Sequence, residues 1–172
     1  EEDVKTIMGQ AADAAEACNV EIIGGHTEVT PAVNRPVIVS TAIGRGIRGY
    51  SASAENIQVG DSIIMTRTAG LEGTGIIAGD FEAELKAVLT DDELEEAKTL
   101  LDNVSVVRDG TVAGAVGTHG MHDVTEGGIL GAIWEMCQIA GTGAELDCGA
   151  VPVEPETVKV CRHFGIDALR LI

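Results

Sequence analysis

The chain has 172 residues, a formal charge of −17, 45% apolar residues and only 2% aromatic ones. That length holds one domain, or a domain and a part, and no apolar run approaches the roughly 18 to 20 residues that cross a bilayer, so no membrane partner is expected. The acids are spread along the sequence instead of gathered in a tail, which argues for solubility and against nucleic acid as a partner; a nucleotide would need a divalent metal to approach such a chain.

With so few aromatics, the core must come from Ala, Val, Ile and Leu, which suits helices packed on buried strands. Val4, Ile7, Met8, Ala11, Ala15 and Cys18 recur at helical spacing and predict a first helix from about Asp3 to Ala17 with one buried face. Asn19 ends it. Val20-Glu21-Ile22-Ile23 then reads as a short strand that delivers Gly24-Gly25-His26-Thr27-Glu28-Val29 at its C-terminal end, where α/β folds carry sites. Pro31 and Pro36 bracket a loop, and Val37 to Gly44 is β-branched and almost continuously apolar, the pattern of a central strand.

From Arg45 to Gln58 the composition shifts to Gly, Ser, Ala, Asn and charge, which places a linker or domain boundary in that stretch. A second unit opens with Ser62 to Thr66 as a strand, and Gly70-Leu71-Glu72-Gly73-Thr74-Gly75 leads into an apolar helix. Thr90 begins a capped helix over Asp91 to Asp102 with a solvated acidic face. Another helix, Val106 to Thr118, carries Val107, Val112, Ala115 and Val116 inward. Gly120 to Val124 reads as a strand feeding a helix that runs to about Ala140, where Gly141 stops it. Glu145 to Val151 alternates weakly as a strand, and Glu156 to His163 forms a last short helix. The class is α/β or α+β, without a repeat of fixed period.

Cys18, Cys137, Cys148 and Cys161 form no Cys-x-x-Cys pair, so the thiols read as reduced and mostly buried, not as a structural zinc site. No signal peptide is visible, and the expected location is the cytoplasm. Both ends, at Glu1-Glu2-Asp3 and at the apolar Ile166 to Ile172, read as cut from a longer chain.

The segment richest in chemistry is His122-Asp123-Val124-Thr125-Glu126-Gly127-Gly128, at the mouth of the helix that continues Ile129-Leu130-Gly131. Thr125 is the expected N-cap, and the paired glycines let backbone N–H groups approach an anion at the helix end whose dipole favours one. Asp123 and Glu126 would repel a bare phosphate; Mg²⁺ between the carboxylates and the phosphate oxygens reconciles the two. A capped, solvent-exposed helix after a turn is the plain alternative. His119, His122 and Asp123 are zinc-ligand types, but at a strand end residues three apart point to opposite faces, and a neutral histidine in a turn is the simpler reading. Arg45, Arg48 and Arg67 are among the few cations, and Arg67, directly after a strand, either faces a bound phosphate or makes a surface salt bridge. Met136 and Cys137 read as packing residues, and Trp134 as a core or interface contact.

Three motifs in one order go beyond generic chemistry. Gly24-Gly25-His26-Thr27-Glu28-Val29, then Val59-Gly60-Asp61-Ser62-Ile63-Ile64 with Leu71-Glu72-Gly73-Thr74-Gly75, then Asp123-Val124-Thr125-Glu126-Gly127-Gly128 resemble the aminoimidazole ribonucleotide (AIR) synthetase, or PurM-like, superfamily. Its members include selenophosphate synthetase, thiamine-monophosphate kinase, formylglycinamidine ribonucleotide synthetase and the hydrogenase-maturation carbamoyl dehydratase. The resemblance covers nearly the whole chain, with residues 1–47 similar to the end of the ATP-binding N-terminal domain and 48–172 to most of the C-terminal mixed α/β domain. The paired glycine before the apolar run Ile129 to Glu135 looks most like the hydrogenase-maturation branch.

The resemblance implies ATP-dependent phosphorylation or activation of an amide- or carbonyl-type acceptor, small or protein-bound, with Mg²⁺ holding the polyphosphate. It implies nucleotide contacts at Gly24, Gly25, Thr27, Thr125, Gly127 and Gly128, and metal ligands at Asp123 and Glu126. His26 stands where relatives often carry an acid, which leaves Glu28 as the nearest further ligand. No catalytic residue is singled out. A homodimer is implied and, because the early acidic residues of full-length relatives lie upstream of Glu1, so is a piece that is inactive by itself. The alternative from another class is a catalytically inert dimeric module that holds a nucleotide or phosphate on its glycine turns.

Overall fold

The computed structural model describes residues 2–46 and 49–172. The chain divides into two compact units, Glu1–Arg45 and Gly46–Ile172. The boundary expected at residues 47 and 48, and with it Arg48, lies outside the described residues.

In the first unit the helical spacing produces α1 (Glu2–Ala17), which ends where Asn19 takes a left-handed φ of 52°. The face expected to be buried is not: α1 has no buried residue. An apolar stripe is buried only against a second layer, and this unit has no second helix or strand among its described residues. The two strands expected here are likewise unpaired, and Ile23, Val39 and Ile43 are 81%, 87% and 82% exposed.

The second unit carries α2 (Leu71–Asp80), α3 (Glu82–Leu85), α4 (Asp91–Thr99), α5 (Val107–Val116), α6 (Gly128–Ala140) and α7 (Pro155–Phe164). Its α/β expectation is met in the helices alone. Among the described residues no strand pairs; segments 62–66 and 120–124 are irregular, and Cys148–Ala150 is a short 3-10 turn inside the third. Their backbone groups find other partners, as where the Met121 N–H donates to the Ala52 carbonyl at 3.3 Å. No helix is long and apolar enough to cross a membrane.

The core sits where α4, α7 and the 3-10 turn Leu100–Asn103 pack on α2. It consists of Ala78, Leu85, Leu89, Leu94, Ala97 and Val160, with Ile77 and Phe164 against it. Two polar groups are buried with it at no hydrogen-bond deficit: the Thr74 hydroxyl donates to the Gly70 carbonyl at 2.6 Å and shares a hydrogen bond with the Thr157 hydroxyl at 2.9 Å. The cap at Thr90 forms as its sequence dictates, with Thr90 and Glu93 exchanging side-chain and backbone hydrogen bonds. Lys98, and beside it Lys86, hold the Glu82 carboxyl down at about 2. The four cysteines are free, and only Cys161 is buried.

Helix α5 is turned differently from its expected phase. Val107, Val112 and Val116 are 51%, 57% and 82% exposed, and Ala115 is exposed with them. A polar clamp sets the helix instead: the Arg67 guanidinium donates to Asp109 at 2.7 Å and to the Ser105 carbonyl at 2.6 Å. Burial works against the charge on Asp109, yet the Thr66 hydroxyl and Arg67 hold its carboxyl below the usual carboxylate range. Of the two roles open to Arg67, the structure shows the salt bridge.

The last six residues join the two glycine-entered helices. The Ile172 carbonyl accepts the Gly73 N–H of α2 at 2.7 Å, and the Leu169 carbonyl accepts the Leu130 N–H of α6 at 3.2 Å. Asp167 shapes the turn between them, accepting the Leu169 N–H on its carboxylate at 3.0 Å and the Arg170 N–H on its carbonyl at 2.9 Å. This approach needs bare backbone. A Cβ on Gly73 would lie 2.4 Å from Leu171 Cδ1, and one on Gly128 would lie 2.5 Å from the Leu169 carbonyl oxygen.

Two stability predictions follow from these contacts. Leu94→Ala is expected to cost about 2–5 kcal/mol in urea unfolding, whereas Val112→Ala stays within about 0.5 kcal/mol; equal losses would put the α5 valines in the core. Gly128 and Gly141 have similar left-handed φ values of 60° and 65°, but a Cβ at Gly141 meets open space. Gly141→Ala should therefore cost only the conformational term of about 1–2 kcal/mol, and Gly128→Ala clearly more, read from the shift in urea midpoint at constant slope.

Candidate functional site

The acid-bearing turn Asp123 to Gly127 is held from both flanks. On its N-terminal side, the Tyr50 hydroxyl lies 3.3 Å from the Thr118 hydroxyl and accepts the Thr118 N–H at 3.3 Å. Gly120 packs against Ala54 and Ile57, within 3.2 Å of where its Cβ would stand, and α6 packs on the 3-10 turn Ala54–Asn56. On its C-terminal side stands the tail described above.

The helix begins later than its sequence signature indicates. Gly127, with φ 84°, is the N-cap of α6, and Thr125 lies two residues before it, its carbonyl accepting the Gly128 N–H at 3.0 Å. The reason is the glycine pair itself: Gly127 and Gly128 both take positive φ, so the chain turns once more before entering the helix. Gly128, Leu130 and Gly131 all direct their N–H groups to carbonyl oxygens of the protein, those of Thr125, Leu169 and Gly127. The close approach that the paired glycine permits is taken by the chain's own tail.

The carboxylates face outward. The Asp123 side chain is 63% exposed and, among the described residues, pairs with His122 alone, at 3.6 Å between Oδ1 and Nδ1. Glu126 is exposed and its carboxylate pairs with no described side chain. His122 is tethered by Glu135 of α6, whose Oε2 lies 2.8 Å from Nε2, while Nδ1 faces the Asp123 carbonyl. This bridge from the turn to the helix is a feature the sequence reading does not contain, although His122 and Glu135 flank the motif on either side.

His119 does not join His122. Its Nδ1 lies 2.7 Å from Asp61 Oδ2, so the two histidines serve different acids and the zinc arrangement is not formed. Among the described residues no group of three or more His, Cys, Asp or Glu is placed to hold a metal ion. Two exposed carboxylates suit Mg²⁺ in its usual manner, where one or two protein oxygens share the ion with substrate phosphates and water. Trp134 is 63% exposed, and Met136 and Cys137 are half-buried.

In the first unit, Gly24, Gly25, Thr27 and Glu28 lie in an exposed irregular run, and His26 Nε2 stands 3.8 Å from Glu28 Oε2. Neither glycine has a positive φ, and a Cβ on either would meet no atom within 4 Å. Nothing in their surroundings requires glycine, in contrast to Gly128.

Comparison with known proteins agrees with the order of motifs. The family described as AIR synthase related protein, C-terminal domain, matches residues 58–170. The chain is 28% identical to carbamoyl dehydratase HypE of Rhodobacter capsulatus over 170 residues, which are 98% of this chain and 48% of that protein. It is 29% identical to carbamoyl dehydratase HypE of Bradyrhizobium diazoefficiens over 175 residues, 98% of this chain and 47% of that one. It is also 25% identical to a selenide, water dikinase of Pelobacter propionicus over 162 residues, 91% of this chain and 42% of that one. The chain thus spans about half the length of the curated relatives it matches, and no solved structure matches it. With a PurM-like C-terminal domain matched across most of its length and carbamoyl dehydratases among its relatives, the chain belongs to the AIR synthase-related family.

Proposed function

We propose that the chain is part of an ATP- and Mg²⁺-dependent enzyme that phosphorylates or otherwise activates an amide- or carbonyl-type acceptor, in the manner of hydrogenase maturation, and that it acts in the cytoplasm as a homodimer. The observation that carries this reading is the exposed pair Asp123 and Glu126 at the entrance to α6, inside the region matched by the family. Its relatives named as carbamoyl dehydratase and as selenide, water dikinase support the ATP-dependent part.

In this reading Asp123 and Glu126 hold the metal together with phosphate oxygens, and Glu28 is the further acid. The metal supplies neutralisation of the polyphosphate charge, without which a protein of charge −17 would repel ATP. Thr125 and Gly127 lie beside the nucleotide. Gly128 shapes the turn that presents them, since its own N–H is spent on Thr125. Gly24, Gly25 and Thr27 line the phosphates from a backbone that is free to be approached, as their open surroundings allow.

The second reading, an inert module that holds a nucleotide or phosphate without chemistry, is favoured by one observation: no third acid completes a metal cluster among the described residues. Titration calorimetry with ATP plus Mg²⁺ and with ATP plus EDTA separates the two. The enzyme reading predicts binding only with Mg²⁺, weakened about ten-fold or more in the Asp123→Asn, Glu126→Gln double variant. Binding that is indifferent to EDTA and to these substitutions favours the inert module, and absence of binding in both arms shows that these residues do not suffice to hold the nucleotide.

A further inference from the structure

Helix α6 carries the chain's single tryptophan, Trp134, and leaves it 63% exposed. Among the described residues no hydrogen bond or aromatic ring engages its indole. An indole in water forgoes one of the largest burials a side chain offers, and its place on the helix determines what can cover it.

That place is beside the acid turn. The N-cap Gly127 and then Gly131, Trp134 and Gln138 recur at helical spacing, so they form one stripe along α6, and Trp134 is the first side chain on it. The Glu126 backbone rests on this stripe: its carbonyl oxygen stands 2.8 Å from where a Cβ on Gly131 would lie. Trp134 follows Gly131 by three residues, about 4.5 Å along the axis, and a helical side chain leaves its Cα toward the N-terminus, here toward Glu126. The next residue ties the same helical turn to the other acid, since Glu135 Oε2 lies 2.8 Å from Nε2 of His122, whose Nδ1 faces the Asp123 carbonyl. The indole thus stands on the turn of helix to which both acid-bearing residues are fastened.

We infer that Trp134 stacks on the nucleobase of a bound nucleotide whose phosphates meet Asp123 and Glu126 through Mg²⁺. This assignment rests on the ATP- and Mg²⁺-dependent reading and adds to it the residue that holds the base. Of the reactants in that reading the base is the one that is aromatic by its chemistry, whereas a reacting amide or carbonyl group has no ring to stack. Trp134 and Gly127 are seven residues apart, about 10 Å along the axis, a separation that a ribose and its phosphates span. An aromatic platform accepts any base through its π face, so Trp134 supplies affinity and little discrimination between bases.

As the only tryptophan, Trp134 is its own reporter. Its emission, excited at the red edge where the bases do not absorb, is followed while the chain is titrated with ATP plus Mg²⁺ and with inorganic tripolyphosphate plus Mg²⁺, and calorimetry gives both affinities. ATP is expected to quench the emission saturably and to bind at least about five-fold more tightly than tripolyphosphate, which leaves the emission unchanged. Trp134→Ala, an exposed substitution, is expected to weaken ATP about five-fold or more and to leave tripolyphosphate within about two-fold, while Trp134→Phe recovers most of the loss. Equal binding of the two ligands with unchanged emission overturns the stacking role and leaves the ATP reading standing. Binding of neither overturns that reading, and the stacking role with it. Emission that follows protein concentration and not ATP assigns the ring to a contact between copies of the chain and likewise overturns the inference.

Discussion

Leu171 reaches α2, and Leu169 reaches α6, because Gly73 and Gly128 leave room for them. Each helix begins with backbone N–H groups that the helix cannot satisfy, and in each the tail supplies a carbonyl oxygen, at 2.7 Å from the Gly73 nitrogen and 3.2 Å from the Leu130 nitrogen. One six-residue segment therefore fixes two helix entrances. Removing it would free two amide donors and uncover the apolar contact of Leu171, so the tail matters to the placement of the acid turn as well as to the packing around α2.

The candidate site inherits its form from this arrangement. Asp123 and Glu126 project from a turn clamped between the tail on one flank and the Tyr50, Ala54 and Ile57 contacts on the other, so their carboxylates stay in solvent without being loose. Because the Gly128 and Leu130 amides of α6 are already engaged, a phosphate meeting this turn would find exposed carboxylates first. That balance is why metal bears so much of the functional reading: a divalent cation is what turns two exposed acids into an attractive surface for a polyanion.

Much of the helical framework was legible in the sequence because its signals are local. Thr90 and Glu93 cap α4 by touching each other, Gly141 ends α6 through its own φ, and the α1 spacing yields a helix without help from any neighbour. What the sequence did not disclose depends on partners far along the chain. Val37 to Gly44 has the composition of a central strand, but a strand exists only where a second one pairs with it, and no pairing occurs among the described residues. The α5 valines follow a helical stripe, yet the Arg67 to Asp109 ion pair decides which side of that helix faces inward. At the site, the acid spacing and the paired glycine were visible, whereas the meaning of Gly128 was not: a glycine bared for a ligand and one bared for the chain's own tail look identical in one dimension. The motif order, by contrast, carried family membership on its own.

The most direct measurement is amide hydrogen exchange at Gly73 and Leu130, followed residue by residue in the native protein. A tail that ties both entrances together predicts that the two amides are protected and open with the same free energy, as members of one cooperative unit. Rapid, unprotected exchange at either amide, or opening energies that differ by several-fold in equilibrium constant, would show that the tail does not join the two helices.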